Sequence, residues 1–171
     1  SWSNISNLHA AADYIASALE RTGAHVEEQV YKIDSFSYRN ISAFYGPTNE
    51  PRIIIGAHYD SHGITPGADD NASGVAGLIE LGILLGKQAT NRAVELVAYT
   101  LEEPPYFGSE HMGSAHHAAR AAQRNEEIIG VIVLEMIGYF SDRRFSQSYP
   151  SLLLHGIYPH RGNYIAVVGR W

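Results

Sequence analysis

Most of the chemistry this sequence could perform rests with His58, Asp60, Asp69, Asp70, Glu102, Glu103 and Glu135. With no cysteine in the chain, disulfides and thiolate metal sites are both excluded, so any metal must be held by imidazole nitrogen and carboxylate oxygen. These donors do not sit in one compact motif. His58-Tyr59-Asp60, Glu102-Glu103 and Glu135 each stand where a short apolar run ends. Asp69 and Asp70 lie in the small-residue loop Pro66-Gly67-Ala68-Asp69-Asp70-Asn71-Ala72-Ser73-Gly74. One imidazole and several carboxylates brought together would bind a divalent cation, and an uncommitted carboxylate beside it could move protons.

Bringing them together is the task of the surrounding elements. Arg52 to His58, Val94 to Thr100 and Ile128 to Met136 are continuous apolar runs of the kind buried on both faces of a sheet, and are expected as central strands. Glu27 to Ile33 and Asn40 to Tyr45 alternate and read as outer strands, and Tyr164 to Val168 as a last one. Helical spacing over residues 4–22, stopped by Gly23, and helical stretches over 72–85 and 109–123 complete an alternating pattern. The expected fold is α/β, with a mixed, largely parallel central sheet flanked by helices on both faces and residues 1–171 forming one domain. Open sheets of this class bind ligands beyond the carboxyl ends of their strands, so three strands would deliver His, Glu-Glu and Glu to one rim. The loop before residue 72 would add acids at a helix N-terminus, where negative charge is favoured.

Each piece alone has a plainer reading. His58 could be a hydrogen-bonded structural histidine, Asp69-Asp70-Asn71 a helix-capping cluster, and Glu102-Glu103 before Pro104-Pro105 a solvated acidic turn. Glu135 resists such a reading, because an unpaired carboxylate buried within IIGVIVLEMIGYF would cost several kcal/mol. The coincidence of all four at strand ends points to a shared site.

GAHYDS at 56–61, PGADDNASG at 66–74, LEE at 101–103, GSEHMGS at 108–114 and LEMIGY at 134–139 together resemble the M28 zinc peptidases, a family that includes aminopeptidases, carboxypeptidases and glutaminyl cyclases. The resemblance covers most of the chain and implies the zinc exopeptidase, phosphorylase/hydrolase-like fold with two Zn2+ per complete domain. It implies that His58, Asp70, Glu103 and Glu135 are metal ligands, Asp70 bridging both ions, and that Glu102 is the general base. Asp60 would fix the His58 tautomer, and the Asp70–Asn71 peptide would be cis. Three ligand carboxylates plus a hydroxide would balance the four charges of two zinc ions. The family's fifth ligand, a later histidine, has no counterpart here. His155 and His160 stand in no matching context, His62 reads as an exposed loop residue, and His111, His116 and His117 as packed or solvated. The domain is therefore expected to lack its C-terminal portion, and this fragment on its own is not expected to carry the full activity.

The function expected is removal of N-terminal residues from peptide substrates, with a carboxypeptidase, a glutaminyl cyclase or a metal-free interaction domain as alternatives. Tyr106-Phe107 and Tyr139-Phe140 are candidate pocket walls. A formal net charge of -6 with scattered basic residues gives no footprint for nucleic acid, and no run is apolar enough to span a membrane. The chain begins Ser1-Trp2, which leaves an earlier targeting segment open. The residues do not reveal oligomeric state, and a secreted or periplasmic location is expected ahead of a cytoplasmic one.

Overall fold

The computed structural model describes residues 4–149 and 151–169. Helix α1 (Ile5–Glu20) opens on Asn4, whose side chain accepts from the Asn7 N–H, and presents Leu8, Ala12, Ile15 and Leu19 to the core. Strands β1 (His25–Ile33) and β2 (Phe36–Tyr45) follow as an antiparallel pair. Then come β3 (Arg52–His58), α2 (Ala72–Lys87), β4 (Ala93–Tyr99), α3 (Gly113–Gln123) and β5 (Ile128–Val133).

The five strands form one sheet in the order β1-β2-β4-β3-β5. β3, β4 and β5 run parallel, whereas β2 is antiparallel to both of its neighbours, so the sheet is evenly mixed in its pairings. Alternation along β4 sorts the two faces. Leu96 and Ala98 enter the main core with Ile15, Leu19, Ile41 and Leu78 under α1 and α2, while Val97 and Tyr99 pack with Ile54 on the opposite face. There His117 of α3 hydrogen-bonds Tyr99 and Glu95. The helices thus cover both faces. Close approach of the turn after α1 to α2 depends on Gly86, where a Cβ would lie 2.1 Å from the Thr22 carbonyl oxygen.

Two expectations about strands are corrected. β5 was expected as a central strand buried on both faces, yet it pairs only with β3, and Ile129, Val131, Ile132 and Val133 are 52–60% exposed. An apolar run is compatible with a buried strand but does not dictate what covers it, and nothing among the described residues does so. No strand forms over 164–168, where Ile165, Val167 and Val168 are exposed and without a sheet partner among the described residues.

The chain divides into two compact units, one reaching Met136 and one starting at Ile137. The second is small. Its backbone is closed by the Ser141 N–H donating to the Gly162 carbonyl at 2.8 Å, and it contains a short 3₁₀ turn, Leu152–Gly156. Phe140 is exposed, and the Tyr139 hydroxyl donates to the Ser146 carbonyl within the same unit.

Candidate metal centre

The parallel strands β3, β4 and β5 end on the same edge of the sheet, and His58, Asp70, Glu102 and Glu135 come together there. His58 is the last residue of β3 and is 3% exposed. Its Nδ1 lies 3.0 Å from the Asp60 carbonyl oxygen, an arrangement that places the proton on Nδ1 and directs the lone pair of Nε2 outward. Nε2 faces Asp70 Oδ1 at 3.2 Å, Glu135 Oε2 at 3.4 Å and Glu102 Oε2 at 3.8 Å. None of these oxygens is aligned as a hydrogen-bond partner, so the buried nitrogen is left unsatisfied. Ligand atoms of His58, Asp70 and Glu135 all lie within 4.8 Å of one another.

Local structure explains these positions. β4 ends at Tyr99, and Leu101, fully buried, adopts a left-handed backbone with φ 57° that turns the chain as it leaves the strand. A non-glycine residue there costs on the order of 1–2 kcal/mol, which burial of the Leu101 side chain offsets. Buried Asn40 on β2 anchors the preceding residue, accepting from the Thr100 N–H and donating to the Gly113 carbonyl. The peptide bond between Asp70 and Asn71 is cis. Asn71, rather than Asp69 or Asp70, is the cap of α2, accepting from the Gly74 N–H. Gly74 is required by proximity: a Cβ there would stand 2.7 Å from the Leu134 carbonyl oxygen, so glycine brings the start of α2 against the end of β5.

Asp60 was expected to act through the His58 ring. Its carboxylate is 3.5 Å from Nδ1, but its hydrogen bonds run elsewhere: Oδ1 accepts from the Glu102 N–H at 3.0 Å and Oδ2 from the Glu103 N–H at 3.1 Å. The backbone carbonyl of Asp60 orients the imidazole, and the carboxylate holds the Glu102-Glu103 backbone. Glu135, expected to be buried, has its side chain 46% exposed just past the end of β5. Its place beside His58 and Asp70 does not depend on burial. Glu103 is 8% exposed, outside the three-residue cluster, and its Oε1 is buried without a hydrogen-bond partner.

Electrostatics make the edge a cation site. Burial lowers the His58 pKa, but the Asp60 carboxylate 3.5 Å from Nδ1, with the charges of Glu102 and Glu135, outweighs it and pushes the value up to about 9. Burial raises the pKa of the Glu102 carboxyl, and Glu103, Asp60 and Glu135 add to that against the opposing effect of His58. Glu135 is likewise raised, first by burial and then by Asp70 and Glu103, with His58 opposing. Carboxylates crowded around one imidazole are stabilised by positive charge, whether a proton or a metal ion. The orphaned Nε2 and Glu103 Oε1 and the all-nitrogen-and-oxygen donor set fit zinc.

Four other histidines of the first unit are not among the three clustered residues. His117 is 3% exposed and held by Tyr99 and Glu95, His116 stacks on Tyr31, and His111 meets the edge of Tyr106. His62 is exposed. Tyr106 packs against the Tyr38 and Leu101 core while Phe107 is exposed. A cavity of about 690 Å³ opens at the opposite end of the sheet, lined by Phe44, Arg52, Arg124 and Glu126 among others, with its arginines already paired to acids. Sequence reading missed the roles of Asn40 and Asn71, since a polar residue in a strand or a cap position carries no sign of its long-range partner.

Residues 40–155 match Peptidase family M28. The uncharacterized protein YfbL of Escherichia coli (strain K12) is 50% identical over 175 residues, spanning 98% of this chain and 53% of YfbL. Leucine aminopeptidase 1 of Ajellomyces capsulatus (strain NAm1 / WU24) is 33% identical, over 69% of this chain and 32% of that protein. Among solved structures, a Porphyromonas gingivalis glutaminyl cyclase superposes with a TM-score of 0.68 at 27% identity, covering 80% of this chain and 52% of that one. A Zn-dependent exopeptidase from Parabacteroides distasonis gives 0.63 at 26%, covering 80% and 55%. The chain thus spans about half the length of YfbL and of these structures.

Proposed function

The chain belongs to peptidase family M28, and from that premise we propose that it is the metal-bearing part of a zinc-dependent aminopeptidase. The observation that carries the reading is the buried, unsatisfied Nε2 of His58 facing Asp70, Glu135 and Glu102 within 3.8 Å. The relatives support it: a leucine aminopeptidase is 33% identical over 69% of the chain, and a Zn-dependent exopeptidase shares the fold.

His58, Asp70, Glu103 and Glu135 are the residues that would hold the zinc. Bound zinc would polarise the scissile carbonyl and acidify the attacking water. Glu102 is the base: its Oε2 lies on the same rim, and its raised pKa suits a group that takes a proton from water and returns it to the leaving amine. Asp60 keeps Glu102 and Glu103 in place by accepting both of their backbone N–H groups.

Zinc titration of the metal-stripped protein tests this, with Asp70→Ala as control. Two zinc ions per chain, both lost in the variant, are expected. A folded protein that binds none would refute the reading.

Likeness to a glutaminyl cyclase favours a second reading, in which the same centre cyclises an N-terminal glutamine. Release of free amino acids from a peptide series supports the peptidase; ammonia release confined to N-terminal glutaminyl peptides supports the cyclase.

A further inference from the structure

The Asn71 side chain, 1% exposed, uses all of its hydrogen-bonding positions. Oδ1 accepts from the Gly74 N–H at 3.1 Å and the Met136 N–H at 3.2 Å. Nδ2 donates to the Leu134 carbonyl at 2.9 Å and to Glu135 Oε2 at 3.2 Å. Helix capping accounts for only the first of the four, and Asp or Ser would cap α2 about as well. The two contacts through nitrogen require an amide, since a carboxylate has no hydrogen to donate.

Glu135 needs such a contact. It follows an edge strand, its side chain is 46% exposed, and Met136 after it turns into the left-handed region at φ 48°. Asp70 and Glu103, both negative, repel its carboxylate. Asn71 is covalently next to Asp70, so a single side chain joins two acids that come from separate segments of the chain.

We propose that Asn71 is a positioning residue for Glu135: its amide nitrogen holds the Glu135 carboxylate toward His58, and its oxygen ties that placement to the start of α2, beside Asp70. The inference rests on the reading of Glu135 as a metal ligand. Ligating carboxylates are oriented by hydrogen bonds from neighbouring groups, and losing one such partner typically weakens metal binding about 10–100-fold.

The test uses the intact protein, stripped of metal and titrated with zinc against a chromophoric chelator, and with Co2+ for its visible absorption. Asn71→Asp keeps the oxygen contacts and replaces the donor with a negative charge. It should unfold, metal-free, at a lower temperature than the parent, because a buried carboxylate then faces the Leu134 carbonyl and Glu135, and it should bind zinc about 10–100-fold more weakly and change the cobalt spectrum. In a Glu135→Ala background the same substitution should weaken zinc no further. An equal loss in both backgrounds would show that Asn71 serves only the scaffold and would overturn the proposal. If Asn71→Asp does not fold, Asn71→Ser takes its place in both backgrounds, and failure of both to fold would also overturn it. A Glu135→Ala variant with unchanged zinc affinity and cobalt spectrum would instead remove Glu135 from the ligands, defeating the reading beneath the proposal.

Discussion

The Asp60 carboxylate accepts the backbone N–H of Glu102 at 3.0 Å, and with its second oxygen that of Glu103 at 3.1 Å. A residue at the end of β3 thereby sets the course of the chain leaving β4. An asparagine at position 60 would keep one acceptor and turn an N–H group toward a donor. Asp60→Asn should therefore lower the stability of the metal-free protein by about 1–3 kcal/mol, measured by urea unfolding, and weaken zinc binding as well. Unchanged stability would mean that the two contacts do not restrain the turn.

Glu102 should separate catalysis from binding. Glu102→Gln is expected to reduce peptide hydrolysis about 10²–10⁴-fold while zinc stoichiometry stays the same. An active variant would disprove its role as the base.

Glu95 should govern acid stability. Its side chain is fully buried on β4, bonded to Arg52 at 3.1 Å and His117 at 3.0 Å, with Arg120 at 3.8 Å. Burial raises its pKa, but His117, Ser42 and Arg52 together bring it below the ordinary 4.5. A carboxylate depressed on folding contributes fully above its unfolded value, and that contribution is lost as pH falls through the folded one. Unfolding free energy should drop as the pH goes below about 4.5. Glu95→Gln should cost about 1–3 kcal/mol at neutral pH, by removing the charge that Arg52 and Arg120 face and disturbing the buried hydrogen bond to His117, and should flatten this acid limb in urea melts recorded across pH.

Gly86 should tolerate no side chain. The Thr22 carbonyl stands 2.1 Å from where its Cβ would be, so Gly86→Ala must push α2 away from α1. A loss of about 1–3 kcal/mol in unfolding free energy is expected, with the metal ligands untouched. A neutral substitution would mean that the helices can shift freely.

The sequence by itself determined the main helices and strands of the sheet and the end of the sheet at which His58, Glu102 and Glu135 stand. Short apolar runs identified β3 and β4, periodicity identified α1 and α2, and placing His58, Glu102-Glu103 and Glu135 at strand ends sufficed because parallel strands share one carboxyl edge. These features are local, or follow from sheet direction alone. Cover and hydrogen-bond partnership are not local. The apolar run of β5 reads as buried, yet its exposure depends on what lies beside it in space. Asp60 reads as a partner of His58 two residues away, whereas its carboxylate bonds Glu102 and Glu103 more than forty residues on. Asn71 reads as a cap, and only the fold brings Glu135 to its other end. Tertiary structure decided these because a hydrogen bond selects its partner by distance and direction, and neither is encoded in spacing along the chain.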